Sequence, residues 1–135
     1  MIHTDGGARG NPGPAAIGVV IEKNGKLIRQ FGKRIGESTN NVAEYTAVSE
    51  ALQYLKYSHD ISHVSRVTFF LDSLLVVNQL IGRFKVKDTK LRTLLFEIRS
   101  LEQEVGGVIT YSAITREQNK EADLLVNQAL DVLES

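Results

Sequence analysis

Cysteine and tryptophan are absent from this chain, and proline occurs only twice. Without cysteine there is no disulfide and no thiolate to offer a metal, which suits a reducing cytoplasm. No stretch approaches about 18 consecutive apolar residues, so no membrane-spanning helix and no membrane partner are expected. The N-terminus has no basic stretch leading into an apolar segment, so no secretion signal is expected. Net charge is lacking too. The 16 Lys and Arg balance the 16 Asp and Glu, which at first argues against a polyanionic partner.

What remains is ordinary for a folded domain. Over 135 residues the chain is 42% hydrophobic and 24% charged, enough for one core. Both prolines, Pro12 and Pro14, fall in the loop GGARGNPGP, and no Pro/Ser-rich linker, low-complexity tract or repeat interrupts the rest. Residues 1–135 are therefore expected to form a single domain. The zero net charge also conceals a division. From Arg83 to Arg92 the segment RFKVKDTKLR carries five basic residues and one acid, while Glu117 to Ser135 carries five acids and one lysine. A chain that gathers carboxylates to bind divalent cations can be neutral overall and still present a basic face.

Hydrophobic period and turn residues divide the chain into elements. MIHTD reads as a strand stopping at Gly6-Gly7, and Ala15 to Glu22, rich in Ile and Val, as a second. Asn24-Gly25 is a strong hairpin signal, which makes Leu27 to Ile35 the antiparallel partner. A helix is predicted over Asn40 to Tyr57, with Ser38, Thr39 or Asn40 as its cap. Val67 to Leu71 reads as a short strand, followed by helices over Ser73 to Ile81 and Lys90 to Glu104, the latter stopping at Gly106-Gly107. Val108 to Ala113 is the last strand and Asn119 to Leu133 the last helix. The order β-β-β-α-β-α-α-β-α gives an α/β fold with a mixed five-stranded sheet flanked by helices. Sites in such sheets gather at the carboxyl ends of the strands.

Four acids stand out by position. Asp5 ends the first strand, where a turn aspartate is the simple reading. Glu44 shares a helical face with Val48, Ala51, Leu52 and Leu55, so it lies on a core-facing stripe, although an acid early in a helix also favours the helix dipole. A carboxylate there is costly unless a partner or cation satisfies it. Asp72 follows VTFFL and precedes a helix, where an N-cap is the simple reading. Asp123 shares a face with Val126, Leu130 and Leu133 and so points inward, although a dipole role fits it as well. Taken together, they are an all-oxygen set. Such a set suits Mg²⁺, and two such ions can stabilise the attacking and leaving oxygens of a phosphoryl transfer.

The motifs TDGGARGNPGPAAIGVV, STNNVAEYTAVSEAL, FFLDS and NKEADLLVNQA, in this order and spacing, resemble the type 1 ribonuclease H family over nearly the whole chain. The resemblance implies a ribonuclease H-like fold with strand order 3-2-1-4-5. It implies endonucleolytic cleavage of the RNA strand of an RNA–DNA hybrid, leaving a 5′-phosphate and a 3′-hydroxyl. Carried over, the catalytic residues and metal ligands are Asp5, Glu44, Asp72 and Asp123, holding two Mg²⁺ ions with Mn²⁺ as the alternative. Asp5 would bridge the ions, one activating water and the other stabilising the leaving oxygen. In Gly10-Asn11-Pro12-Gly13 the glycines let backbone approach a sugar edge closely. Asn11, Asn40 and Asn41 match positions facing the hybrid minor groove, where 2′-hydroxyls distinguish RNA from DNA. Thr39 with Asn41 matches a pocket for a phosphate of the DNA strand; TNN read by itself is a helix cap. A cytoplasmic monomer is expected.

Departures from the family pattern are equally specific. The Trp-rich basic protrusion of many relatives is replaced by GRFKVKDTKL, where Arg83, Lys85 and Lys87 are candidate hybrid contacts, or else an ordinary solvated loop. Where relatives carry a loop histidine, ITREQNKEAD offers Arg116, which cannot exchange protons near neutral pH. Leu74 stands where relatives may carry a base-contacting glutamine. His3, His59 and His63 have no catalytic placement, and no separate N-terminal hybrid-binding domain is expected. Gly7, Gly10 and Gly13 are not a dinucleotide loop, because they lead into a strand and no P-loop lysine follows. Two alternatives stay open: a nuclease of related fold acting on double-stranded RNA or other nucleic acid, and a non-catalytic hybrid-binding module.

Overall fold

The computed structural model describes residues 1–58 and 65–132. The strands are β1 (Ile2–Ala8), β2 (Gly13–Lys23), β3 (Lys26–Ser38), β4 (Arg66–Leu71) and β5 (Val108–Ala113). The helices are α1 (Asn40–Tyr57), α2 (Leu74–Leu80), α3 (Thr89–Val105) and α4 (Lys120–Asp131). One sheet runs in the order β3-β2-β1-β4-β5. β1, β2 and β3 pair antiparallel, whereas β4 pairs parallel with both β1 and β5. The expected mixed sheet and its order are both found.

Local chemistry accounts for most boundaries. Asn24 and Gly25 both take positive φ, 54° and 78°, the pair that a tight hairpin turn demands. Thr39 caps α1 by accepting from the Val42 N–H at 3.2 Å, and Asp88 caps α3 by accepting from Leu91 at 3.0 Å. Several boundaries differ from the sequence reading, including the start of β2 at Gly13 and the end of β3 at Ser38. β1 continues through Gly6-Gly7 to Ala8, because both glycines pair with Ile17 and Ala16 of β2. Ser73, not Asp72, caps α2, accepting from Val76 N–H at 3.2 Å. The last helix is preceded by a 3-10 turn, Glu117–Asn119; Leu133 lies outside the described residues.

The main core lies between the sheet and α1, and α3 packs against α1 and contributes Leu91 and Ile98 to the same core. Val48, Ala51, Leu52 and Leu55 are buried there, so the predicted stripe is the stripe observed. Successive strand residues face opposite sides. A side chain on Gly6 would meet Ala43 of α1, and one on Gly7 would meet Val126 of α4. The two helices therefore cover opposite faces of β1. A smaller apolar cluster of Ala16, Val126 and Leu130 holds α4 down. Both helix starts consequently converge on the carboxyl end of β1.

Candidate carboxylate site

Asp5 projects from β1, Glu44 from the second turn of α1, and Asp72 from the end of β4. One carboxylate oxygen from each lies within 4.8 Å of the others. Asp5 and Glu44 are only 7% and 5% exposed. Their juxtaposition depends on Gly6, whose N–H donates to Glu44 Oε1 at 2.6 Å and to Asp5 Oδ1 at 3.0 Å. Any side chain at Gly6 would collide with the backbone of Ala43 and Glu44. Only glycine lets α1 come this close, so the strand glycine is what seats the buried glutamate.

Asp123 stands at a different remove. It is half-buried at the start of α4 and lines the same cavity of about 330 Å³, yet its oxygens fall outside the tight group of three. Its negative charge still acts on the cluster. Burial first, and then the charges of Asp72 and Asp123, raise the Asp5 carboxyl, hydrogen bonding with Glu44 and the Gly6 N–H partly offsets this, and the net result is about 7. Glu44 is raised well above the ordinary range, first by burial and then by Asp5 beside it.

This arrangement fits a bound cation. Glu44 Oε2 is buried without a hydrogen-bond partner, an expensive state for a carboxylate oxygen unless something positive meets it. The neighbouring donors are all hard oxygens, the set that Mg²⁺ or Ca²⁺ takes. Asp5, Glu44 and Asp72 can hold an ion directly, with Asp123 facing them across the cavity.

Asn119 completes the site, and the sequence offers no hint of this beyond its place at a helix start. Buried in the 3-10 turn, its Nδ2 donates to Thr4 O at 2.9 Å and to Asp72 Oδ2 at 3.3 Å. It ties β1, β4 and the approach to α4 together at the carboxylates. Its only sequence signal is membership of NKEAD, since its partners lie 115 and 47 positions away. Arg9, which sequence reasoning also misses, lines the cavity and pairs with Asp131 of α4 at 2.6 Å.

The predicted substrate positions cluster beside the cavity. Asn11 Oδ1 accepts from the Asn40 N–H at 3.0 Å, and Asn40 Oδ1 accepts from the Ala8 N–H at 2.9 Å. These bonds fasten the Gly10 loop to the start of α1 and leave each Nδ2 as the remaining donor. Asn40 and Asn41 form a wall shared with a second cleft, about 820 Å³ in volume, which Thr39, Asn11 and Lys90 also line. Gly10 is exposed with φ of 99° and lines neither cleft. Arg116 is exposed at the rim of the carboxylate cavity, and Leu74 is 64% exposed. Arg83, Lys85 and Lys87 are exposed between α2 and α3. His3 stacks on Phe70 with ring centroids 5.0 Å apart, outside the carboxylate cavity; His59 and His63 lie outside the described residues.

The reverse transcriptase-like family model matches residues 3–129, and the fold superimposes on LC11-RNase H1, solved in complex with an RNA/DNA hybrid, with a TM-score of 0.92. That match is 42% identical and covers 99% of this chain and 98% of the other. The chain belongs to the type 1 ribonuclease H family. It is also 37% identical to ribonuclease HI of Halobacterium salinarum over 133 residues, 96% of this chain and 63% of that protein. It is 36% identical to the bifunctional protein Rv2228c of Mycobacterium tuberculosis over 134 residues, 97% of this chain. The chain spans 35% of the length of that mycobacterial relative.

Proposed function

We propose that residues 1–135 form one ribonuclease H domain that hydrolyses the RNA strand of RNA–DNA hybrids, leaving 5′-phosphate and 3′-hydroxyl ends. The observation that carries this reading is the buried Asp5–Glu44–Asp72 cluster with its unpartnered Glu44 oxygen, set in a fold shared with a hybrid-bound relative. Asp5, Glu44, Asp72 and Asp123 hold the metal, two Mg²⁺ ions, with Mn²⁺ as the alternative. When bound, the metal supplies charge neutralisation at the scissile phosphate and activation of the attacking water.

The chain's own residues supply the rest. The Gly6 N–H fixes the Glu44 carboxylate, and Asn119 orients Asp72 from the other side. Rigid supports of this kind keep reacting groups within the small tolerance that catalysis allows. Asn40 and Asn41 present donors along the wall between the two clefts, with Asn11 beside them in the larger one, suited to the 2′-hydroxyls and base edges of a hybrid minor groove. Thr39 and Asn41, near Lys90, face the larger cleft, which suits a phosphate of the DNA strand. The chain acts as a monomer.

A labelled RNA–DNA hybrid incubated with and without Mg²⁺ tests this reading, beside RNA duplex and DNA duplex of the same sequence. The expected outcome is Mg²⁺-dependent internal cleavage of the hybrid's RNA strand, lost in Asp5→Asn. Preferred cutting of RNA duplex would move the assignment to a different substrate, and tight hybrid binding without cleavage would make the chain a binding module.

A further inference from the structure

Two glycines outside the carboxylate cavity lie under the helix that carries Asp123. Gly18 on β2 and Gly32 on β3 are cross-strand partners, and Gly18 is also the partner of Asp5 on β1. The three residues thus form one row across the sheet. A Cβ on Gly18 would overlap the Ala122 carbonyl oxygen outright and stand 3.1 Å from Leu125 Cβ. A Cβ on Gly32 would stand 2.5 Å from the Leu125 carbonyl oxygen. The principal obstacles are helix backbone, which has no rotamer with which to move aside. Neither glycine is among those with positive φ, so space and not conformation demands glycine here.

We propose that Gly18 and Gly32 are positioning residues that seat α4 directly on the sheet and thereby set the distance from Asp123 to the Asp5–Glu44–Asp72 cluster. The inference rests on the nuclease reading above, because it requires Asp123 to work with the other three acids. Ala122, whose carbonyl rests on Gly18, immediately precedes Asp123 in the chain. A methyl on either glycine must lift the helix by about an ångström to restore ordinary contact. A displacement of that size at a catalytic group costs about 100-fold in rate.

The test compares Gly18→Ala and Gly32→Ala, each alone and combined with Asp123→Glu, with Ile98→Ala as a control. Ile98 is buried in the main core on α3, so its truncation destabilises the fold without touching α4. Four quantities are measured on each folded variant: kcat and KM on the hybrid, Mg²⁺ affinity by titration calorimetry without hybrid, and melting temperature. The expected result is a kcat about 100-fold lower in the glycine variants, with KM unchanged and Mg²⁺ bound more weakly. Asp123→Glu, one methylene longer, lowers activity in the parent but restores much of it beside either alanine. Ile98→Ala loses melting temperature while keeping kcat and Mg²⁺ affinity. Glycine variants that keep both kcat and Mg²⁺ affinity overturn the proposal, as does strict additivity with Asp123→Glu. Should Gly18→Ala fail to fold, Gly32→Ala on the edge strand carries the same comparison. A parent chain that cleaves no hybrid sinks the nuclease reading instead, and the Mg²⁺ titrations then decide the role of the glycines by themselves.

Discussion

The Asp5 carboxyl is pushed up to about 7, against about 4 for an aspartate in an unfolded chain. Between those values the folded state holds the proton more tightly. The stability contributed is complete below about pH 4 and is lost as pH rises through about 7. Asp5→Asn removes that loss, so the metal-free variant is expected to melt higher than the parent above pH 7, while hybrid cleavage disappears. Melting curves of both proteins in chelator from pH 4 to 8 check this, and an equal or lower melting point for the variant would argue against a strained cluster. Asn119 makes a second prediction. Truncation to alanine breaks two hydrogen bonds and leaves the buried Thr4 carbonyl without this donor, a loss of about 1–3 kcal/mol. Urea unfolding would measure it, and kcat is expected to fall with it because Asp72 loses its orienting donor. Neither residue's importance is local. Asp5 alone reads as a turn aspartate and Asn119 as a helix start; each acquires its role from partners far along the chain.

Elements are legible where a local signal has a local cause. The hairpin at Asn24-Gly25, the cap of α1 and the stop of α3 at Gly106-Gly107 follow from φ preference and orphan N–H groups, so the sequence reading of them holds. β1 reads short in the sequence because glycine ordinarily ends a strand, whereas tertiary pairing with β2 carries the strand through Gly6 and Gly7. The cap of α1 joins stability to substrate contact. Thr39→Ala removes the acceptor for the Val42 N–H and is expected to cost about 1 kcal/mol, read as a lower midpoint in denaturant. Because Thr39 also lines the larger cleft, KM for the hybrid should rise in the same variant; an unchanged KM would confine Thr39 to capping.

Across the whole molecule the neutral net charge is divided between an acidic cavity and a basic connection from α2 to α3. Released counterions make phosphate binding visible as salt dependence. Replacing Lys85 and Lys87 together with alanine is expected to flatten the salt slope of hybrid binding, by about one for each phosphate no longer neutralised. An unaltered slope would make this segment a bystander. Mass action supplies another check, since Mg²⁺ at about 100 times its Kd should stabilise the fold by about 2.7 kcal/mol and remove the pH penalty at Asp5. The amino-acid sequence by itself determined the succession of elements, the turn and cap residues, the buried stripe carrying Glu44 and the motifs of the family, because each is written in neighbouring residues or in a short period. Tertiary structure alone decided that Asp5, Glu44 and Asp72 meet while Asp123 stands back, that Asn119 bridges β1 and β4, and that helices rest on bare glycine backbone. Those outcomes depend on packing between segments 38 to 115 positions apart, and no local pattern encodes a distance through space.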